Sequence, residues 1–320
     1  MNAPRSRETM RAWAIEAYGG PEQLKLMELP RPRPRGGDVL IRMRGAEVGD
    51  WDALVRSGEW PMERPFPLVL GLAGAGAVAA LGSDVSGFAR GDLVYAYSYP
   101  LYDNGAWAEY MLVPASAAAH APHSLKPAHA GAMPIAGLTA HETLNDVLKV
   151  APGDSLLVTA AAGGVGHLAV QIGASLRAQV IGTASTANVE FVRSLGARWV
   201  VDYRSQNVET EVRKLFPHGV DCVLSGVSGD AANQAARTLR RGGRMVDLPG
   251  AVTEIPHGVT VISDYVVKAD SLRLQLLAAM VDAGTLRLEV QKLFAFEHAP
   301  EALELVLGHH VRGKVSIAMS

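Results

Sequence analysis

The chain has 320 residues, 48% of them hydrophobic, and its 30 basic residues nearly balance its 32 acidic ones. This length predicts about two domains, and the balanced charge gives no reason to expect a nucleic-acid or membrane-surface partner. The single cysteine, Cys222, excludes an intramolecular disulfide and any zinc site of several cysteines. It also favours a reducing, cytoplasmic setting. No apolar run reaches the roughly 18 to 20 residues that span a bilayer.

The first part of the chain, residues 11–123, consists of short apolar runs separated by glycine and proline. Examples are residues 39–43, 93–96 and 108–113. Short strands at this spacing predict an irregular β-rich domain. Residues 1–9 lead into no apolar stretch, so we expect a frayed tail and not a secretory signal.

After residue 124 the pattern changes to strands and helices in alternation. Strands are predicted at 155–160, 179–182, 199–202, 221–224 and 244–248, and helices at 164–177, 187–195, 208–215 and 230–239. This alternation predicts a parallel sheet with helices on both faces. Further on, helices at 271–283 and 299–307 and strands at 290–294 and 314–318 are expected.

A glycine-rich turn joins the first strand of this second part to the following helix. It consists of Ala161, Ala162, Gly163, Gly164, Val165 and Gly166. Ala161 stands where the dinucleotide fingerprint usually has its first glycine, while Gly163 and Gly166 hold the second and third positions. Such a turn lets a pyrophosphate approach the backbone at a helix N terminus. The alternative is a turn whose glycines serve packing alone.

The second strand of such a domain indicates which dinucleotide is bound. NAD sites place an acidic residue at its C-terminal end, where the side chain accepts a hydrogen bond from the ribose 2′-hydroxyl. Here the first acid is Glu190, a turn further on. NADPH is therefore predicted as the cofactor, with contacts from Ser185, Thr186 and Asn188 and further contacts from Tyr203 and Arg204.

Several motifs together resemble the medium-chain dehydrogenase/reductase superfamily, in its zinc-free quinone oxidoreductase branch. They lie at residues 69–76, 91–92, 105–110, 137–140, 160–166 and 313–315. The resemblance implies an α/β fold with a GroES-like β-rich catalytic domain at 1–123 and 268–320. A Rossmann domain with a doubly wound parallel sheet would bind the cofactor at 124–267. It also implies a homodimer paired through Rossmann strands, and it adds Thr139, Gly250 and Lys314 to the predicted cofactor site.

Departures from the zinc-bearing relatives are as informative as the likeness. Those relatives have a His-Glu pair where this chain has Leu72 and Ala73, and a cysteine near Gly49 and Asp50. No zinc is therefore expected. Quinone oxidoreductases often have an asparagine where Gly49 stands and a lysine near Val189, and both are missing here.

A missing metal restricts the chemistry that we expect. Hydride transfer to a simple ketone builds a localised alkoxide, which zinc stabilises, whereas a quinone or enone spreads the charge over a conjugated system. Hydrogen-bond donors can then suffice. The predicted catalytic residues are Trp51, Asp52, Tyr97 and Tyr99, the tyrosines lying in an expected loop. The alternatives are packing roles for the aromatic residues and a structural hydrogen bond for Asp52.

Three functions remain compatible with these residues. The first is an NADPH-dependent reductase of quinones or other conjugated carbonyl compounds. The second is an enoyl or alkenal double-bond reductase of a biosynthetic pathway. The third is a member of the fold that binds NADPH without catalysis, because a fold alone does not define a function.

Overall fold

The computed structural model describes residues 8–319, which form two units with separate cores. The first unit contains the residues up to Ile135, Lys268–Asp282 and those from Val290 onward, and the second contains Ala136–Val267 and Ala283–Glu289. Most of the predicted tail lies outside the described residues, and its last residue, Thr9, opens a strand. Among residues 8–319, no helix combines the length and apolar character needed to cross a membrane.

The elements follow one another along the chain in three groups. The first group is β1 (Thr9–Ile15), β2 (Lys25–Pro30), β3 (Asp38–Val48), α1 (Trp51–Ser57), β4 (Leu68–Val69), β5 (Ala73–Leu81), β6 (Leu93–Tyr97), β7 (Tyr110–Pro114), β8 (Ala118–His120) and α2 (Pro127–Ala130). The second is α3 (Pro134–Glu142), a π-helical turn (Thr143–Val147), β9 (Ser155–Val158), α4 (Gly166–Ser175), β10 (Gln179–Ala184), α5 (Val189–Ser194), β11 (Trp199–Asp202), α6 (Val208–Leu215), β12 (Val220–Ser225), α7 (Asp230–Arg237), β13 (Leu239–Asp247) and β14 (Thr260–Ser263). The third is α8 (Ser271–Asp282), β15 (Val290–Ala295), α9 (Ala299–Leu307) and β16 (Lys314–Ala318).

Two sheets build the first unit. A three-stranded sheet has the order β2-β1-β4, and a seven-stranded sheet has the order β15-β16-β3-β5-β6-β8, with β7 paired to β3. The last strand, β16, runs antiparallel to β3, with Val315 opposite Val48 and Ile317 opposite Ala46. The end of the chain thus returns to the β-rich unit, and it brings Lys314 beside the end of β3.

The boundary between the units lies at Ile135, later than the predicted boundary at residue 123. Strand β8 pairs with β6, so residues 118–120 are part of the first sheet. Helix α2 packs on β3 so closely that a Cβ on Gly45 would lie 2.6 Å from Ala128 Cα. A Cβ on Gly131 would likewise lie 2.5 Å from Gly45 O. Backbone approach of this kind holds residues 124–135 on the first unit.

A second difference concerns Ala283–Glu289, which the prediction had assigned to the β-rich domain. Gln171 of α4 accepts a hydrogen bond from the Arg287 amide at 2.8 Å and donates one to the Arg287 carbonyl at 2.9 Å. The Glu289 amide donates to His167 Nε2 at 3.2 Å. These bonds attach the segment to the second unit.

The second unit contains a six-stranded sheet in the order β11-β10-β9-β12-β13-β14, and all of its strand pairs are parallel. Strand β9 is fully buried, and its neighbours β10 and β12 each have only one partly exposed residue, as expected for a parallel sheet covered on both faces. Leu157, Ile181, Val223 and Met245, from four adjacent strands, share one core cluster. The strand order reverses between β9 and β12, and ligands of such sheets bind at the carboxyl ends beside this point. The predicted α/β fold is confirmed.

Candidate functional site

The glycine-rich turn lies at the carboxyl end of β9, beside the point where the strand order reverses. Ala160 adopts a left-handed conformation with φ of 47°, and its carbonyl accepts a hydrogen bond from the Gly163 amide at 2.8 Å. Helix α4 begins at Gly166, and no side chain caps its N terminus. The His167 amide donates to Gly163 O at 3.1 Å and the Leu168 amide to Val165 O at 3.2 Å. The amides of Gly164, Val165 and Gly166, together with the positive end of the helix dipole, are therefore the groups that can meet an anion.

The glycines of the turn have different roles. A Cβ on Gly166 would lie 2.2 Å from Ala160 O, so only glycine allows this approach of the helix to the turn. A Cβ on Gly163 would meet Ala160 O at 3.2 Å and little else, so this position faces open space. Gly166 therefore serves packing, whereas Gly163 leaves room for a ligand.

Ala161 stands where the fingerprint usually has its first glycine, and the neighbouring strand β10 leaves room for its methyl group. It is fully buried, and its amide donates to Thr183 O at 3.0 Å. A Cβ on Gly182 would lie 3.1 Å from the Ala161 methyl group. The missing side chain at Gly182 of β10 thus provides the space that the fingerprint glycine usually leaves.

His167, which the sequence analysis did not single out, fixes the turn from inside. It is fully buried, its Nδ1 lies 2.8 Å from Gly163 O, and its Nε2 accepts a hydrogen bond from the Glu289 amide. Because Nε2 accepts, Nδ1 donates its proton to the Gly163 carbonyl. This bond directs the carbonyl of the turn toward the protein interior.

Two of the residues predicted for the adenosine end of the cofactor, Tyr203 and Arg204, line a cavity of about 660 Å³. Thr159, Thr183, Tyr203 and Arg204 line it. The Tyr203 amide donates to Ala184 O at 3.1 Å, which attaches this residue to the end of β10. The structure therefore places Tyr203, which follows β11, beside the end of β10, and Tyr203 and Arg204 share their cavity with Thr183 of β10. Their role as cofactor contacts stays a prediction.

The other three predicted residues form the turn after β10. Ser185 precedes a 3₁₀ helix at Thr186–Asn188. Asn188 Nδ2 donates to Ser185 Oγ at 3.3 Å, and its amide donates to Ser185 O at 2.8 Å. The side chains of Ser185 and Asn188 thus support each other at the position where the adenosine ribose is expected.

An acidic side chain missed by the sequence analysis also reaches this turn. Thr186 Oγ1 lies 2.6 Å from Asp202 Oδ2, and the Arg204 amide donates to Asp202 Oδ1 at 2.9 Å. The hydrogen bond from Thr186 is the first cause of a lowered pKa of the Asp202 carboxyl. The sequence analysis searched for an acidic residue at the end of β10, whereas Asp202 ends the neighbouring strand β11. It reaches the turn because it pairs with Ala184, the last residue of β10.

Thr139 and Gly250 lie elsewhere in the second unit. Thr139 is buried on α3, and its carbonyl accepts a hydrogen bond from Thr143 Oγ1 at 2.6 Å. Gly250 follows β13 with φ of 65°, and a Cβ there would lie 2.0 Å from Asp264 Oδ1. Both remain predictions as cofactor contacts.

Lys314, the last predicted cofactor residue, belongs to a buried ion pair of the first unit. Its Nζ lies 2.9 Å from Glu47 Oε1, with side-chain exposures of 7% and 0%, and it donates to Val48 O at 3.3 Å. Glu47 Oε2 accepts a hydrogen bond from the Ile135 amide at 3.1 Å. The antiparallel pairing of β16 with β3 creates this pair, which no local sequence pattern predicts.

Asp52 is a second buried carboxyl group near this pair. Its Oδ2 accepts a hydrogen bond from the Gly49 amide at 3.0 Å, while Oδ1 has no hydrogen-bond partner among residues 8–319. Burial raises the pKa of the Asp52 carboxyl to about 8, and the charge of Glu47 acts in the same direction. Asp52 therefore carries a proton at neutral pH.

Trp51 lies between Gly49 and Lys314. The Lys314 ammonium is 4.8 Å from the centre of the indole, a distance typical of a cation–π contact. A Cβ on Gly49 would lie 2.2 Å from the Trp51 ring. The indole thus occupies the space of a side chain at position 49, and its Nε1 is buried without a hydrogen-bond partner in the described part of the chain.

The predicted aromatic loop is divided between a strand and a turn. Tyr97 ends β6 and is buried in the core, so its placement in a loop was wrong. Tyr99 follows in the turn, where its Oη accepts a hydrogen bond from Trp60 Nε1 at 3.0 Å. Tyr102 donates to Asp38 Oδ1 at 2.6 Å. Of the two tyrosines predicted to be catalytic, only Tyr99 lies outside the core.

The positions that bear zinc ligands in the relatives do not fit a metal here. Leu72 and Ala73 are buried and have only hydrocarbon side chains. Residues 8–319 contain no group of three or more His, Cys, Asp or Glu side chains arranged to hold a metal ion. The residues present therefore lack the donor set that a tetrahedral zinc site needs.

Comparison with known proteins agrees with this architecture. Residues 35–123 match the family described as alcohol dehydrogenase GroES-like domain, and residues 164–280 match the family described as zinc-binding dehydrogenase. The NADPH-dependent alkenal/one oxidoreductase of Arabidopsis thaliana is 32% identical over 96% of this chain and 79% of that protein. The quinone oxidoreductase QR1 of Triphysaria versicolor is 29% identical over 96% of this chain and 98% of that protein.

A solved structure gives the same result. The quinone oxidoreductase from Coxiella burnetii superposes with a TM-score of 0.85 at 29% identity, over 98% of this chain and 100% of that one. The two units and the glycine-rich turn thus define an oxidoreductase with a GroES-like and a Rossmann domain. The chain belongs to the medium-chain dehydrogenase/reductase superfamily, in its quinone oxidoreductase-like branch.

Proposed function

We propose that this protein is an NADPH-dependent reductase that transfers hydride, without a metal, to a quinone or another conjugated carbonyl acceptor. The observation that carries the proposal is the turn at the carboxyl end of β9. There Gly163 faces open space and the N terminus of α4 has no side-chain cap. A pyrophosphate bound at this turn would accept hydrogen bonds from the backbone, which needs no charged side chain.

The proposed preference for NADPH rests on the residues expected around the adenosine ribose. Arg204 provides the cation that a 2′-phosphate requires, and Tyr203 provides an aromatic face beside the same cavity. Ser185 and Asn188 add polar groups at the turn, and Thr186 adds a hydroxyl group whose proton Asp202 accepts. An Arabidopsis thaliana relative is named as NADPH-dependent. Thr139, Gly250 and Lys314 complete the proposed set of contacts.

The acceptor class follows from the residues where relatives hold zinc. NADPH, when bound, supplies a hydride. Leu72, Ala73 and Gly49 offer no ligand for a Lewis acid that would stabilise a localised alkoxide. An acceptor that spreads charge over a conjugated system needs only hydrogen-bond donors. Quinones and α,β-unsaturated carbonyl compounds meet this requirement.

Three of the predicted catalytic residues have an O–H or N–H group that can donate a hydrogen bond to the oxygen of such an acceptor. Asp52 is protonated at neutral pH because burial raises its pKa to about 8. Trp51 Nε1 is a buried donor with no acceptor among residues 8–319. Tyr99 accepts from Trp60 and retains its own hydroxyl proton. Tyr97 is buried in the core and would act through packing.

The proposal also includes the oligomeric state of the protein and its cellular compartment. Strand β14 forms one edge of the six-stranded sheet, with Ile262 exposed, so a second copy could extend the sheet there. We propose a homodimer formed in this way, in the cytoplasm. No nucleic-acid or membrane partner is proposed, because the chain has a formal net charge of -2.

Steady-state kinetics with an acceptor panel tests the proposal. NADPH consumption is followed with a quinone series, an enone and alkenal series, and a simple ketone, each with and without chelator. We expect turnover of conjugated acceptors, no turnover of the ketone, and no effect of the chelator. A preference for carbon–carbon double bonds would favour the enoyl or alkenal reductase. NADPH binding without consumption of any acceptor would contradict an enzymatic function.

A further inference from the structure

The turn after β10 receives two opposite charges from the end of β11. The Asp202 carboxylate is fixed by Thr186 Oγ1 at 2.6 Å and by the Arg204 amide at 2.9 Å. The Arg204 guanidinium lies 5.9 Å from the centre of the Tyr203 ring, and its charge adds to the lowering of the Asp202 pKa by Thr186. Arg204 also lines the cavity that Thr183 of β10 lines. A ligand group bound between the turn and this cavity would meet both charges.

The direction of one hydrogen bond distinguishes the two coenzymes. A charged carboxylate only accepts, so the Thr186 hydroxyl proton is directed at Asp202. The hydroxyl then offers only lone pairs to a ligand. A ribose 2′-hydroxyl can donate to them, as in NADH, whereas a 2′-phosphate is itself an acceptor and finds no proton there.

We infer that Asp202 is a specificity-determining residue that opposes the 2′-phosphate of NADPH and allows NADH to bind, while Arg204 acts in the opposite direction. The inference rests on the proposed function, because it assumes a nicotinamide dinucleotide at this turn. It goes beyond the proposed function because it assigns the relative affinity for NADH and NADPH to the side chains of Asp202 and Arg204. The parent protein should therefore bind both coenzymes, with dissociation constants within about tenfold of each other.

The decisive variant is Asp202→Asn, which removes the charge and preserves the size. The asparagine Oδ1 can still accept from the Arg204 amide, and Nδ2 can donate to Thr186. The Thr186 hydroxyl proton then becomes available to a phosphate. We expect the ratio of the NADH to the NADPH dissociation constant to rise about tenfold, a typical effect of removing a charge near an exposed phosphate.

Two further variants make the test specific. Asp154→Asn is the matched control, because Asp154 lies at the amino end of β9, opposite the carboxyl ends where the turn lies, and accepts a hydrogen bond from the Ala151 amide. It should leave the ratio unchanged. Arg204→Gln should lower the ratio of the NADH to the NADPH dissociation constant by about tenfold. Fluorescence titrations of each variant with both coenzymes, and a melting temperature for each, provide the measurements.

The outcomes separate the inference from the function on which it rests. A folded Asp202→Asn protein that binds both coenzymes in the parent's ratio would overturn the inference and leave the proposed function intact. A ratio that moves equally in Asp154→Asn would also overturn it, since net charge would then explain the effect. If the parent binds neither coenzyme, the proposed function fails and the inference fails with it.

Discussion

The two units present their polar sites by different means. In the second unit the turn after β9 relies on backbone groups, with Ala160 in a left-handed conformation and Gly166 in close contact with Ala160 O. In the first unit the site consists of the buried side chains of Glu47, Asp52 and Lys314. Changes to the backbone site should therefore affect ligand binding first, whereas changes to the buried cluster should affect stability first.

The largest single loss of stability is expected at Lys314, and it tests the claim about the buried cluster of the first unit. Lys314→Met leaves the fully buried Glu47 carboxylate without its ion-pair partner. Breaking a buried pair in this way costs about 3 to 5 kcal/mol of the free energy of unfolding. Denaturant titration measures the loss. Lys292→Met, at an exposed position of β15, is the control and should cost less than about 0.5 kcal/mol.

A second variant shows whether the loss comes from the unpaired charge. Adding Glu47→Gln to Lys314→Met removes that charge and preserves an acceptor for the Ile135 amide. The double variant should regain at least half of the lost stability. If it is no more stable than Lys314→Met, lost packing and not the ion pair explains the effect.

A pH dependence caused by Asp52 is expected as well, and its size depends on the pH interval compared. Its pKa is about 8 in the folded chain against an ordinary value of 3.8. Between these two values only the unfolded chain releases the proton, so rising pH favours unfolding by up to about 1.4 kcal/mol for each pH unit. Asp52→Asn should therefore gain stability relative to the parent from pH 4 to pH 8, about the interval set by the two pKa values.

Denaturant titrations of parent and variant across this pH range provide the measurement. Asp103→Asn, a matched change at an exposed position, should leave the parent's pH dependence unaltered. Parallel curves for Asp52→Asn and the parent would mean that the Asp52 carboxyl is ionised in the folded protein.

The smallest expected effect concerns Tyr99. Tyr99→Phe removes the acceptor of Trp60 Nε1 while the ring contact with Trp60 remains. The expected cost is about 1 kcal/mol of unfolding free energy, the usual value for one hydrogen bond. Tyr203→Phe, whose ring is half exposed, should change the stability by less than about 0.5 kcal/mol. Equal stability of Tyr99→Phe and the parent would show that water replaces Tyr99 as the acceptor.

The second unit could be predicted from the sequence in much greater detail than the first. Strand β11 and helix α6 have the predicted bounds, because alternating strands and helices have distinct periodicities. Strand β14 was missed because three of its four side chains are exposed, which leaves no apolar run to detect. Residues 124–135 were assigned to the Rossmann domain because their attachment to the first unit depends on backbone approach at Gly45 and Gly131, which the sequence does not reveal.

Site residues that are adjacent in the chain could be predicted, whereas site residues that strand pairing brings together could not. The glycine-rich turn could be found because its residues are adjacent in the chain and its spacing is set by the ligand. The pairing of Glu47 with Lys314 could not, since it depends on the register of β16 against β3. Asp202 was missed for a related reason, because it reaches the turn from a neighbouring strand. Contacts between strands need the sheet order, which a single sequence does not contain.

The central claim is that the turn after β9 binds the coenzyme pyrophosphate, and Gly163→Val tests it most directly. A Cβ at this position would make one tight contact, 3.2 Å from Ala160 O, which a shift of a few tenths of an ångström relieves, while the rest of the valine side chain fills the ligand's space. Gly37→Val, in another open turn, is the control. NADPH titration and thermal melting of both variants are the measurements. We predict at least tenfold weaker binding for Gly163→Val, about 1.4 kcal/mol, with little change in melting temperature. A folded Gly163→Val protein that binds NADPH as the parent does would contradict the claim.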